Sequence, residues 1–214
     1  MTIKVPLISL AYIDFKKAFD SVSHPKLLEK LHSFGIKGFI FSWLKSFLSG
    51  RTQTVKINSG FSNLINVTSG VPQGSVLGPT VFLMFINDIV DEVQFSDIFL
   101  FADDLKMFNK SENHKLNLQS DLNNILVWSK KWQLPVSLNK SKMFYIGISN
   151  PQHSYSLDDY KLESGGHSFK DLGVYISTNL SSRIHCSNIV SKASRISYMI
   201  HRCFVSNDVN VSNF

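Results

Sequence analysis

The apolar positions of this chain change their spacing along it, and each change marks an element. Residues 7–13 (LISLAYI) form a short, unbroken apolar run ending at Asp14. A run of that length predicts a buried central strand. Ser23 and Pro25 then suit the start of a helix, with an apolar stripe of Leu27, Leu28, Leu31 and Phe34 and a stop at Gly35. A second helix is expected from about Gly38, with Phe39, Trp43, Phe47 and Leu48 inward and Ser49-Gly50 at its end. The β-formers over 52–58 and 63–68, around Ser59-Gly60, predict a hairpin. Residues 69–74 (SGVPQG) read as a loop, and 76–93 as a helix carrying Phe82, Phe85, Ile86, Ile89 and Val93. IFLFADDLKMF has two apolar runs flanking Ala102, Asp103 and Asp104, which predicts a hairpin with the acids at its turn.

Beyond it, 113–133 reads as a long amphipathic helix with Leu118, Leu122, Ile125, Leu126 and Trp132 on one side. Strand-like segments follow near 143–148, 155–162 and 169–176. A last helix near 182–204 places Ile189, Ala193, Ile196, Ile200 and Phe204 on one face, before a tail expected to fray. Helices and hairpins interleave without repeat or linker. The expectation is an α+β fold, a mainly antiparallel sheet packed on helices.

Composition narrows the class only a little. Of 214 residues, 43% are hydrophobic and 18% charged, which excludes a disordered chain. The net charge of +6 permits a polyanionic partner without proving one. Two cysteines, Cys186 and Cys203, make no disulfide framework, so a reducing compartment is the default. No apolar run reaches the ~18 residues of a bilayer span, and no cleavage site follows the start. An intracellular protein, nuclear or cytoplasmic, with no membrane partner is expected. The seven histidines show no metal-ligand spacing, which argues against zinc.

The acids change the picture more. Asp14 closes an apolar strand, and Asp103 and Asp104 sit between two others. Adjacent carboxylates in such places cost free energy through repulsion and desolvation, and a divalent cation offsets that cost. Hard oxygen ligands suit Mg²⁺, and two such ions about 3.5–4 Å apart can clamp both oxygens of a phosphoryl transfer. A plain polar turn is the alternative reading of Asp103-Asp104. The loop SGVPQGSVLGP adds a weaker signal. Its Gly70, Gly74 and Gly78 permit close backbone approach, Gln73 both donates and accepts, and a helix N-terminus follows Ser75.

In order, these strings resemble the reverse transcriptases of non-LTR (LINE-like, jockey-type) retrotransposons. AYIDFKKAFDSVSH is similar to polymerase motif A, TSGVPQGSVLGPTVFLMFIND to motif B, LFADDLKMF to motif C, WSKKWQLPVSLNKSK to motif D and FKDLGVYIS to motif E. The resemblance runs from about Leu7 to Phe204. It implies a polymerase palm with partial fingers over residues 1–180 and the start of a thumb over 181–214. The implied activity is RNA-directed DNA polymerase, a nucleotidyltransferase. It uses two Mg²⁺ ions, with Mn²⁺ as an alternative, and takes an RNA template, a DNA primer and dNTPs.

The resemblance also implies residue roles. Asp14, Asp103 and Asp104 become the metal ligands, and Phe15 adds a backbone carbonyl. Phe19 packs under the incoming sugar, where a 2′-hydroxyl would clash, and Gln73 and Gly74 contact nucleotide and template. Lys142, with Lys140 as substitute, protonates the leaving pyrophosphate, and Leu172 and Gly173 grip the primer. Asp20 is expected as a structural hydrogen-bonding group, and Trp43, Trp128 and Trp132 as core. Thirteen residues precede Asp14, too few for the family's fingers region. The expectation is therefore a retrotransposon fragment, weakly active or inactive alone. A non-catalytic nucleic-acid-binding remnant is the alternative. A nucleotide cyclase, which lacks the VPQG loop, is a remote one.

Overall fold

The computed structural model describes residues 7–109, 114–147 and 149–203. Strand β1 (Ile8–Ile13) leads through a short helix α1 (Ala18–Ser21) to α2 (His24–Ser33) and α3 (Gly38–Leu48). Four two-residue strands follow: β2 (Thr52–Gln53), β3 (Lys56–Ile57), β4 (Gly60–Phe61) and β5 (Ile65–Asn66). Next come α4 (Leu77–Ile86), a 3-10 turn over Asn87–Glu92, and the hairpin β6 (Asp97–Phe101) and β7 (Asp104–Asn109). Helix α5 (His114–Trp132) precedes β8 (Lys142–Ile146), β9 (Ser156–Leu157), β10 (Tyr160–Lys161) and β11 (Glu163–Ser164). The hairpin β12 (Ser168–Asp171) and β13 (Val174–Ser177) and helix α6 (Arg183–Cys203) complete it.

The main sheet has five strands in the order β11-β8-β1-β7-β6, antiparallel except for β11 beside β8. The apolar run of the first strand is thus central, as its composition predicts. Its two faces do different work, because side chains alternate across a strand. Ala11 and Ile13 join Leu105, Met107, Met143 and Tyr145 in the principal core. Against that face pack Leu27 and Leu31 of α2, Phe82, Phe85 and Ile86 of α4, and Leu118, Leu122, Ile125 and Trp128 of α5. Each fully buried side chain of this size contributes roughly 1.5–3 kcal/mol. On the other face Leu10 and Phe144 meet Phe169 of the β12–β13 hairpin in a second, smaller cluster.

Some expected packing turns outward. Helix α3 buries Leu44 and Leu48, while Phe39 and Trp43 are exposed, and Phe34 after α2 is exposed as well. Helix α3 packs chiefly on α2, so one narrow i, i+4 stripe suffices and Trp43 stacks on Phe47 at its rim. The hairpin over 52–68 forms as two exposed pairs, β2 with β5 and β3 with β4. Helix α6 buries none of its residues among those described, so the stripe of Ile189, Ala193, Ile196 and Ile200 faces outward. Phe204 and the tail lie outside the described residues. Among the described residues no helix is long and apolar enough to cross a membrane.

Two buried charges that the apolar pattern cannot reveal tie the helices to one another and to the segment that enters the sheet. The Asp121 carboxylate of α5, fully buried, accepts the N–H groups of Gln94 (2.9 Å) and Phe95 (3.2 Å). That fixes the segment entering β6. Lys30 of α2 is 1% exposed and lies over the rings of Trp132 (4.0 Å), Trp128 (4.5 Å) and Phe85 (4.7 Å). Its ammonium donates to the Phe85 carbonyl and the Asp88 carboxylate. This contact sits where α4 tightens into the 3-10 turn, the point at which the single expected helix over 76–93 changes pitch.

Burial pulls the Lys30 ammonium down to about 8, against the opposing hydrogen bond and charge of Asp88. The unfolded chain keeps this proton up to its ordinary value near 10.5, so between the two values unfolding takes up a proton and stability rises with pH. A one-proton difference has a ceiling of about 1.4 kcal/mol per pH unit. The urea midpoint should therefore rise from pH 7.5 to 9.5, and Lys30→Met should flatten that slope. A parent midpoint that is flat across this range, or a slope unchanged in the variant, would remove Lys30 as its source.

Candidate active site

The acids meet because of strand register. Ile13 pairs with Leu105, so the next residues outward, Asp14 and Asp104, stand side by side at the end of the sheet. Both fall on the face carrying Leu10 and Tyr12, opposite the principal core. Phe101 pairs with Asp104, leaving Ala102 and Asp103 as the two-residue turn of the hairpin. Ala102 takes φ 52° there, a left-handed conformation that twists with the flanking strands. Asp103 is half-buried and Asp104 exposed.

Asp14 is held from the far side. Its N–H donates to Ser141 Oγ (3.1 Å) and its carbonyl accepts Ser137 N–H (2.7 Å). Ser141 Oγ donates in turn to the Ser137 carbonyl. Phe15 bridges to Val136, and its ring is buried edge-on to Trp128. Asp14 Oδ1 is buried without a hydrogen-bond partner; Lys140 Nζ stands 3.9 Å away. Burial raises the Asp14 carboxyl above its usual range, Lys140 opposes this, and Asp103 and Asp104 add to it.

The Gly-rich loop docks on α1. Gly70 N–H donates to the Val22 carbonyl and Val71 N–H to the Phe19 carbonyl, both at 2.8 Å. Gln73 Nε2 donates to Asp20 Oδ1 (2.8 Å), which makes Asp20 the structural hydrogen-bonding group expected of it. Phe19 is half-buried and stacks on Phe82, ring centroids 4.1 Å apart. Lys17, Asp20, Arg51, Gln53, Gly70 and Gln73 line a polar cavity of about 520 Å³. Gly74 is exposed with φ +81°. Farther off, Leu172 (φ 43°) and Gly173 (φ 90°) form the turn of the β12–β13 hairpin.

The family described as reverse transcriptase (RNA-dependent DNA polymerase) matches residues 7–198. The chain belongs to the reverse transcriptase family. The RNA-directed DNA polymerase from mobile element jockey of Drosophila melanogaster is 31% identical over 207 residues, 89% of this chain and 22% of the relative. Its counterpart from Drosophila funebris is 30% identical over 215 residues, 94% of this chain and 23% of the relative. The reverse transcriptase domain described here thus spans under a quarter of the length of these relatives. Among solved structures, apo telomerase from Candida tropicalis aligns with TM-score 0.59 at 14% identity, over 83% of this chain and 35% of the other. Telomerase from Candida albicans, in complex with a fragment of telomeric RNA, aligns with TM-score 0.58 at 16% identity, over 82% and 30%. At such identity these two establish the fold, an α+β reverse transcriptase architecture.

In this reverse transcriptase domain the two candidate lysines part ways. Lys140 reaches Asp14, whereas Lys142 Nζ lies 2.6 Å from Glu163 of β11. The donor chemistry at the acids fits a hard divalent cation: carboxylate oxygens only, one of them buried and unpartnered. Among the described residues, however, no three His, Cys, Asp or Glu side chains are gathered closely enough to hold a metal ion by themselves. Ser137, Ser141 and Arg51 escaped the sequence reading. A serine twice near a strand end, or an arginine after a glycine, carries no pattern of its own.

A Cβ at Gly70 would stand 2.8 Å from the Asp20 backbone, and the residue's φ is +86°. At Gly74 nothing lies within 4 Å, so only the left-handed backbone resists, at about 1 kcal/mol. Gly70→Ala should therefore lower the melting temperature clearly more than Gly74→Ala. Equal shifts would mean that the loop does not need its close seat on α1.

Proposed function

We propose that this domain is the catalytic core of an RNA-directed DNA polymerase, adding deoxynucleotides to a DNA primer 3′-hydroxyl along an RNA template. The observation that supports this most is the meeting of Asp14 with Asp103 and Asp104 at one sheet end, with Asp14 Oδ1 buried and unpartnered. The three acids would hold Mg²⁺, as two ions, with Mn²⁺ as a substitute. Bound there, the ions would lower the pKa of the primer hydroxyl and offset charge on the phosphoryl group. The remaining work falls to the chain itself. Phe19, braced by Phe82, forms a wall beneath the 2′ position of the incoming sugar. Gln73, steadied by Asp20, and Gly74 meet nucleotide and template, and the Phe15 carbonyl adds an oxygen beside Asp14. Proton delivery to the leaving pyrophosphate falls to Lys140 as the nearer lysine; Lys142 would first have to leave Glu163. The Leu172-Gly173 turn holds the primer end, and α6 begins the thumb.

Primer extension on poly(rA)/oligo(dT) with Mg²⁺ tests the reading. Asp103→Asn should abolish extension while preserving the fold, because a ligand is lost from a half-exposed turn and no core contact goes with it. A variant extending at the parental rate sinks the metal assignment. Binding of primer–template without Mg²⁺, and without extension, would favour the non-catalytic remnant instead.

Phe19→Ala should relax sugar discrimination, raising rNTP use relative to dNTP use. The same variant should lose some stability, since the ring also packs on Phe82. An unchanged rNTP/dNTP ratio alongside a lower melting temperature would leave Phe19 as core alone.

A further inference from the structure

The β12–β13 hairpin is a separate two-stranded sheet lying over the open face of the main one. Its base is secured: Gly147 N–H at the end of β8 donates to the Thr178 carbonyl (2.9 Å), and Thr178 N–H to the His167 carbonyl (2.9 Å). Its middle is secured by Phe169, packed on Phe144 and Tyr12 with ring centroids 4.3 and 5.1 Å apart. Its tip is different. Beneath the Leu172-Gly173 turn lies an apolar cavity of about 530 Å³, whose walls include Tyr12, Phe99, Phe101, Phe108, Phe169 and Leu172. Packing therefore does not set the height of the tip, because a void has no atoms against which to press.

Among the described residues an ion pair spans this gap, and the Tyr12 hydroxyl also faces Asp171. Lys106 of β7, two residues beyond Asp104, ion-pairs with Asp171, the residue before Leu172. Lys106 is 8% exposed, and its ammonium lies 5.4 Å from the centre of the Tyr12 ring. A half-buried ion pair is a poor source of net stability, since desolvation consumes much of the attraction, and an apolar side chain would fill the cavity better. What the pair supplies is a single defined separation between two charged ends.

We infer that the Lys106–Asp171 pair is a positioning device that sets the Leu172-Gly173 turn at a fixed height over the strand carrying Asp104, and so aligns the primer end with the acids. The inference rests on the polymerase reading for its primer half only; the tether itself is a property of the fold. Lys106→Met and Asp171→Asn remove the pair from either side, and Lys106→Arg keeps it.

Amide hydrogen exchange at 170–174 reads the tether without any activity. Exchange there should rise several-fold in Lys106→Met and Asp171→Asn and return towards parent in Lys106→Arg, with exchange in β1 unchanged. Extension kinetics read the alignment. The KM for primer–template should rise several-fold in the first two variants, with the KM for dNTP unchanged. Asp171→Asn decides the matter should Lys106→Met fail to fold, since Asp171 lies on the outer hairpin. Unchanged tip exchange overturns the tether, whatever the activity. Raised exchange with an unchanged primer–template KM overturns the alignment. A parent that neither binds nor extends primer–template overturns the primer half, while the exchange result still decides the tether.

Discussion

The pairing of Ile13 with Leu105 is the constraint on which the acidic corner depends. It joins two strands drawn from segments far apart in the chain, and it does so from the core side, where both side chains are buried against α4 and α5. The acids take no part in forming it. Asp14 and Asp104 are brought together by apolar burial one step away, strongly enough to override their mutual repulsion. The carboxylates then sit at the edge of the apolar layer, where burial raises Asp14 and leaves one of its oxygens unpartnered. A protein selected only for stability would place no such group there.

Much of this frame is legible in the sequence, because apolar spacing and turn chemistry are local signals. The strand before Asp14, the helix opened by Pro25 and closed by Gly35, and the acids at a hairpin turn all stand where the pattern places them. The misreadings share one cause. An apolar side chain in a helix implies a partner, but the pattern cannot say whether that partner exists. Phe39 and Trp43 on α3, and the described stripe of α6, stay exposed, Trp43 meeting only Phe47 of its own helix among its ring contacts described.

The candidate site is legible in a different way. Asp14, Asp103 and Asp104 announce themselves by being in the wrong company, acids ending apolar runs. Lys30 and Lys106 do not, because a lysine on a helix or in a strand reads as a solvated side chain until its neighbours are known. Lys30 turns out to be enclosed by three aromatic rings and Lys106 to reach across to another sheet. The relation between Lys140 and Lys142 is tertiary too. Two residues apart, they differ in which acid the loop and strand geometry presents to each.

The two-residue turn at Ala102-Asp103 has a consequence for how chains of this kind can change in length. A one-residue insertion or deletion there would shift β7 by a single step against β1 and exchange its two faces, sending Leu105 and Met107 to the cavity side and Lys106 into the core. Nothing comparable guards residues 52–66, whose short strands are exposed and carry no part of the core. Divergence in length should therefore accumulate between the first acid and the glycine loop and be purged at the second acid. The chain can drift freely in how far apart its acids lie in sequence while having no freedom in how they meet.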